Sequence, residues 1–206
     1  MTHPVANCLR ALHGLVVCGG KSLRMGKDKS MFPYHNKPQR YHLYDMMLPL
    51  CEKVFIACNS EQASSIPPEY HVITDNAVFS NIGPMAALLS AFEIYPHASL
   101  MVVGCDYPFI KSNDLLQLIH ARNAEHPAVC YFNGLKTMEE PLLTVYENSC
   151  YPLLLQKFKT NEYSLRYFLK ELQAKKLTAS SPLILTSVDT PEAYEEALGE
   201  INKEKQ

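Results

Sequence analysis

The chain has 206 residues, 47% hydrophobic and 19% charged, with a formal net charge of −2. That is enough chain for one domain with a substantial core, and composition of this kind belongs to globular proteins. A charge so near zero excludes a global electrostatic drive toward nucleic acid or an anionic membrane, so any anion site must be local.

The chain reads as a single domain over residues 1–206. Residues 1–11 are expected as a flexible extension and 201–206 as a solvated tail. The opening MTHPVANCLRALHG lacks a long apolar core, so neither a signal peptide nor a membrane span is expected. Leu15 to Cys18 is a short apolar run, as in a strand covered on both faces. Pro38 to Leu50 has helical spacing. Val54 to Cys58 is a second buried strand and Tyr70 to Thr74 a third. Gly83-Pro84 opens a helix with Met85, Leu88, Leu89 and Phe92 as its apolar stripe, proline being suited to a first helical position. Leu100 to Gly104 is the next buried strand. Ser112 or Asn113 is expected to cap a helix through Ile119. Pro127 to Phe132 and Pro141 to Tyr146 read as strands, and Ser149 to Lys159 and Ser164 to Leu172 as helices. Leu183 to Leu185 reads as a late strand, and Thr190-Pro191-Glu192 as the start of a last helix through Leu198. This alternation predicts an α/β fold: a three-layer α/β/α sandwich around a mostly parallel twisted sheet.

Seven cysteines stand at 8, 18, 51, 58, 105, 130 and 150, with no CxxC pair. An odd number, several inside apolar runs, predicts buried reduced thiols and a cytoplasmic protein. The eight histidines show no metal-ligand spacing.

The stretch VVCGGKSLRMGKDKS, Val16 to Ser30, carries the chemistry. Its Gly20-Lys21-Ser22 looks like the tail of a Walker loop, which needs four residues between its first glycine and Gly-Lys. Gly14 and Gly20 enclose five, and the apolar strand lies among them. A P-loop ATPase is therefore disfavoured. The loop still follows the first strand of an α/β sheet, where ligands bind at the strands' carboxyl ends. Gly19 and Gly20 allow close backbone approach. Arg24 offers a fork and Lys29 a point charge for phosphate oxygens. A solvated charged turn fits these features equally well.

Gly19 to Lys29 is similar to the signature GGxSxRMGxDK of the MobA-like nucleotidyltransferases, and within them most resembles the molybdenum cofactor guanylyltransferases. The similarity runs on through Asn36-Lys37-Pro38 (Asn in place of the family's Gly), Ala57-Cys58-Asn59, Val72 to Asp75, Gly83-Pro84-Met85-Ala86, Cys105-Asp106-Tyr107-Pro108-Phe109, Glu140-Pro141-Leu142-Leu143 and Val188 to Glu192. The resemblance implies a Rossmann-like nucleotidyltransferase fold. It implies transfer of GMP from GTP to the terminal phosphate of molybdopterin or Mo-molybdopterin, with release of pyrophosphate. Molybdenum-insertion and molybdoenzyme-maturation proteins are the implied partners, and neither nucleic acid nor membrane is.

The same resemblance supplies the site. Backbone at Val17, Cys18 and Gly19 would face the base, with Gly20 and Ser22 in the phosphate loop. Arg24 would hold the leaving β- and γ-phosphates, and Lys29 the triphosphate and the reacting α-phosphate. Asn59 and Asp75 would lie on the nucleotide side. Asp106, after a buried strand, would hold Mg²⁺, which takes one or two carboxylates plus phosphate oxygens. Asp28 would pair with a neighbouring cation and order the loop. Asp189 stands where the family has asparagine, and Ser187 where many members have another. Asp189 suits either a second metal carboxylate or a helix N-cap. Tyr163 and Tyr167, flanking Arg166, suit either core packing or a pterin stack. The alternatives are a CTP-dependent enzyme or sugar-phosphate nucleotidyltransferase of the same fold, and a catalytically silent nucleotide-binding protein.

Overall fold

The structure is a computed structural model that describes residues 10–18 and 28–203. Among these residues seven strands form one sheet in the order β3-β2-β1-β4-β6-β5-β7. They are β1 (Leu12–Val17), β2 (Lys53–Cys58), β3 (Val72–Thr74), β4 (Ser99–Gly104), β5 (Ala128–Asn133), β6 (Met138–Tyr146) and β7 (Lys175–Thr178). Neighbours β1/β2, β1/β4, β2/β3 and β5/β7 are parallel. Only β6 runs against its neighbours β4 and β5. The mostly parallel sheet expected from the alternation is present.

The register shows why the central strands read as continuous apolar runs. Leu15 and Val17 point into one core cluster, Val16 and Cys18 into the other. A strand buried on both faces has no polar side to show. The first face is covered by α3 (Met85–Ile94), α5 (Cys150–Lys159) and α6 (Leu165–Glu171). The second carries α1 (Gln39–Met47) and α4 (Ser112–His120), with the short α2 (Ser60–Ala63) beside them. This is the three-layer arrangement.

Some local expectations are corrected. Leu183–Leu185 lies in a 3-10 turn, Pro182–Leu185, not a strand. Pro182 supplies no N–H to a ladder, and Ser181 Oγ caps the turn by accepting from Leu183 N. The last strand is instead β7, whose alternately half-buried and exposed pattern KKLT is too short and polar to stand out. Neither Ser112 nor Asn113 caps α4. Lys111 holds that position, its N–H donating to Asp114 Oδ2 at 3.0 Å. The helix at Pro38 begins one residue on, at Gln39, and Pro84 is the cap of α3, not its first residue. The last helix, α7, spans Pro191–Lys203 and ends well beyond Leu198.

That extension matters for the site. Ile201, placed by sequence in a solvated tail, is buried with Ala197, Val188, Tyr34 and Phe109 in a third cluster. This cluster seats the segment that carries Asp189. Shortening Ile201 to alanine should cost about 2–4 kcal/mol, as for other buried aliphatic truncations. Denaturant titration of Ile201→Ala measures it, and a loss under about 0.5 kcal/mol would show the contact to be dispensable.

Candidate functional site

The carboxyl ends of β1, β2 and β4 converge at one edge of the sheet. The Val17–Gly104 and Val17–Ala57 registers put Cys18, Cys58 and Cys105 side by side there. Cys18 Sγ and Cys105 Sγ lie 3.5 Å apart. All three are buried free thiols, and burial pushes the Cys105 thiol well above its ordinary value. A thiol held protonated in this way is a packing residue, not a nucleophile.

Asp106 follows β4 by two residues. The turn is closed by the backbone, Tyr107 N–H donating to Gly104 O at 3.3 Å, so the carboxylate is not needed as a cap. Its position depends on Gly104. A Cβ at that glycine would fall inside contact distance of Asp106 Oδ1 and lie 3.1 Å from Leu142 Cβ. A side chain there would have to displace the Asp106 carboxylate and press Leu142 back. This requirement escaped the sequence reading, although a glycine ending an apolar strand just before Cys-Asp was the available signal.

Two further contacts complete the centre. Val188 N–H donates to Asp106 O at 2.8 Å, which draws the 187–190 segment across the end of β4. Asp189 then forms an ion pair with Lys29 Nζ. The helix-cap role open to Asp189 belongs to its neighbour, since Thr190 Oγ1 accepts from Ala193 N at 3.2 Å. So Asp189 faces the centre and not its helix.

The electrostatics follow from this crowding of carboxylates. Burial raises Asp106 to about 6, and the negative fields of Asp189 and Glu140 push the same way. Lys29 and a bond from the residue's own backbone N–H offset part of the shift. Glu140 is itself buried, taking Tyr107 Oη at 2.8 Å and Asn133 Nδ2 at 3.1 Å. A site that disfavours its own carboxylate is one that gains from a bound cation. Among the described residues no group of three or more His, Cys, Asp and Glu is placed to hold a metal. A cation here has Asp106 and Asp189 to draw on, with the rest of its oxygens from elsewhere. That donor set suits Mg²⁺, which keeps several waters or phosphate oxygens.

On the β2–β3 side of this centre lies a cleft of about 650 Å³, lined by Val17, Ala57, Asn59, Asp75, Gly83 and Pro84 among others. Asp75 Oδ1 is buried there without a hydrogen-bond partner among the described residues, and burial raises the group above its ordinary value. The turn that follows is capped by Asn76, whose Oδ1 accepts from Val78 N at 3.0 Å. With the turn supplied by Asn76, the Asp75 carboxylate is left for the cleft. An orphaned buried acceptor of this kind calls for a donor from a ligand. Gly83 takes φ +66°, a conformation that favours glycine, and starts α3 at the cleft wall.

Asn59 is nearby but partly spent. Its Oδ1 accepts from Gln62 N at 2.8 Å as the cap of α2. Val17 and Cys18 are likewise tied into the sheet: Cys18 N–H donates to Ala57 O and Val17 O accepts from Cys105 N–H. Any base contact by backbone here falls to carbonyl lone pairs not used by the ladder. Gly19, Gly20, Ser22 and Arg24 lie outside the described residues. Asn36, where the resembled family has glycine, takes φ 60°. Asparagine tolerates that region better than other non-glycine residues, which accounts for the exchange.

The helix begins after Tyr163, so the stripe is broken, and core packing accounts for Tyr163. Tyr163 precedes the Ser164 cap and is outside α6, where it packs with Phe158. Tyr167 is 53% exposed. Arg166 Nε donates to Glu139 O at 3.3 Å. None of the three lines the clefts at the sheet edge.

Residues 14–177 match the MobA-like NTP transferase domain. The chain belongs to this family. It is therefore a nucleotidyltransferase. It is 32% identical over 196 residues to a molybdenum cofactor biosynthesis bifunctional protein of Synechocystis, covering 93% of this chain. The chain spans about half of that relative, 54% of its length. It is 23% identical over 184 residues to a probable molybdenum cofactor guanylyltransferase of Flavobacterium johnsoniae, covering 88% of this chain and 94% of that one. The fold is shared with molybdopterin-guanine dinucleotide biosynthesis protein A of Archaeoglobus fulgidus, with a TM-score of 0.76, 20% identity, and coverage of 93% and 99%. No helix among the described residues is long and apolar enough to cross a membrane.

The raised Asp106 gives a pH signature. A carboxyl held above its unfolded value keeps its proton longer in the folded state, so the native fold loses stability as pH rises through about 6. Asn mimics the protonated form. In metal-free buffer Asp106→Asn should match the parent near pH 4 and exceed it by about 1–3 kcal/mol at pH 8. Thermal melts across that range read the difference, and parallel curves at every pH would exclude a perturbed Asp106.

Proposed function

We propose that this nucleotidyltransferase moves GMP from GTP to the terminal phosphate of molybdopterin, with or without its molybdenum, giving molybdopterin guanine dinucleotide and pyrophosphate. The observation that carries the reading is the meeting of Asp106, Asp189 and Lys29 at the carboxyl edge of the sheet. It is supported by the family and by the names its relatives bear.

Both substrates are anions, and their approach must be relieved of mutual repulsion. Phosphoryl-type transfer is mainly positioning plus charge stabilisation. Mg²⁺, held by Asp106 with Asp189 as a second carboxylate, would supply neutralisation of the phosphate oxygens. Lys29 is assigned to the triphosphate and the α-phosphate. Its pairing with Asp189 keeps the ammonium pointed at the centre before substrate arrives. Arg24 is assigned to the departing β- and γ-phosphates, with Gly20 and Ser22 in the loop around them and Gly19 backbone toward the base. Asp75, with its free buried acceptor, is assigned to a hydroxyl or amine donor of the nucleoside, and Val17, Cys18 and Asn59 to the same cleft wall.

In the reaction a terminal phosphate oxygen of the pterin forms a bond to the α-phosphorus of GTP. The bond from that phosphorus to the bridging oxygen of the β-phosphate breaks, and pyrophosphate leaves with its electrons. No side-chain nucleophile is needed. The acceptor side is assigned to a second cleft, of about 620 Å³ and mostly apolar walls, between the β5–β6 turn and the Pro182–Ser187 segment. Ser187 lines it two residues before Asp189, so this cleft and the nucleoside cleft flank the charged centre. A flat heteroaromatic pterin, its faces against apolar walls and its polar edge toward groups such as Asn133, with a charged phosphate tail, matches such a division. Partner proteins that deliver molybdopterin or receive the product would act in the same pathway.

Pyrophosphate release with purified protein, Mg²⁺ and molybdopterin tests the reading. GTP should support release and CTP should not. Release with CTP alone would keep the mechanism and overturn the base assignment. Asp106→Ala and Lys29→Ala should each lower turnover by about a hundred- to a thousand-fold, the size of one lost transition-state contact. Unchanged turnover in either would remove that residue from the site.

A further inference from the structure

Arg40 is fully buried on α1, beside Tyr41 and near Cys58 at the end of β2. Its guanidinium lies 4.8 Å from the centroid of the Tyr41 ring, and Nη2 donates to Tyr41 Oη at 2.8 Å, with Ser65 Oγ at 3.4 Å. Nε and Nη1 are buried without a hydrogen-bond partner among the described residues. Packing alone does not account for this. A residue of similar volume without charge would fill the space and avoid the desolvation of a permanent cation.

The nearest carboxylate is Asp28, its Oδ2 3.7 Å from Arg40 Nη1. Asp28 is held from three directions. Oδ1 accepts from Ser30 N and Oγ at 3.0 and 2.7 Å, which caps the 3-10 turn Lys29–Met31. Oδ2 accepts from Gln62 Nε2 at 2.9 Å. Gln62 in turn is locked to Asn59 by a reciprocal capping box, and Asn59 lines the nucleoside cleft. The next residue after Asp28 is Lys29.

We infer that Arg40 is a positioning residue: acting through Asp28, it fixes the backbone from which Lys29 reaches the reacting phosphates. Its Nη1 faces a carboxylate oxygen just beyond bonding distance. A shift of Asp28 of less than about 1 Å would close a charge-assisted bond of ordinary length. The guanidinium thus offers Asp28 a second, tighter seat when Lys29 turns from Asp189 to a substrate phosphate. The inference rests on the assignment of Lys29 to phosphate.

The test is steady-state turnover of GTP by Arg40→Met, Asp28→Asn and the double variant, with hydrogen exchange of the 28–32 amides measured in each. A misplacement of about 1 Å at a reacting group costs on the order of a hundred-fold, so Arg40→Met should lose about 10- to 100-fold in kcat with KM for GTP within about three-fold. The double variant should be no worse than the poorer single one, as for residues that act as a unit. Arg40→Lys, which keeps the charge without the fork, should recover part of the loss. Exchange at 28–32 should quicken in Arg40→Met. A folded Arg40→Met with full kcat, or losses that multiply with those of Asp28→Asn, would overturn the inference. If Arg40→Met does not fold, Arg40→Lys carries the same comparison: full kcat with unchanged exchange at 28–32 overturns the inference. A parent protein that turns over no GTP would defeat the functional reading instead, and unchanged exchange at 28–32 in Arg40→Met would then still defeat the anchor.

Discussion

The Val188 N–H bond to Asp106 O joins the end of β4 to a segment more than 80 positions later, and the charged centre depends on it. Without that bond Asp189 has no reason to stand over the sheet edge, and its ion pair with Lys29 is lost. The bond is kept by packing. Val188 is buried with Phe109, Tyr34 and Ile201, so the final helix works as a clamp on the segment that precedes it. Asp106 and Asp189 are brought close against their own repulsion. Burial is what makes this costly and also what makes a cation or a phosphate-bound metal welcome there.

The two clefts differ in character because different parts of the sheet build them. The cleft assigned to the nucleoside sits over parallel strands, where βα turns end in glycine, proline and short polar residues. The other lies beyond β6, the one antiparallel strand, where a hairpin turn and a 3-10 turn supply apolar walls. The reversal of β6 separates the halves and leaves the charged centre between them. Glu140 reinforces this seam, since it binds Tyr107 from the β4 side and Asn133 from the β5 side.

Asp28 and Asp189 show how one charge orders another. Lys29 is paired with Asp189, while the preceding carboxylate is drawn toward Arg40 and Gln62. Opposite pulls at adjacent residues set the direction of the lysine. Surface ion pairs contribute little by themselves, but partly buried ones with several hydrogen bonds constrain geometry.

Much of this chain was legible from sequence because its central strands are buried on both faces. Leu15–Cys18, Val54–Cys58 and Leu100–Gly104 carry continuous apolar runs that nothing but strand or core can use. The position of Asp106 was legible for a related reason: a residue just past a buried apolar run stands at the edge of the sheet. Asn36 was visible only as an exchange for glycine until its positive φ explained it. Other features needed the fold. β7 is half exposed and polar, and Leu183–Leu185 is apolar without being a strand, because burial under a turn leaves the same pattern as burial in a sheet. The partnership of Lys29 with Asp189, the tight approach of Leu142 to Gly104 and the buried charge of Arg40 beside Asp28 join residues apart along the chain. Residue type and spacing determine which elements form and which chemistry they can carry. Only packing decides which carboxylate meets which cation, because burial and distance set those energies, and neither is a property of the chain before it folds.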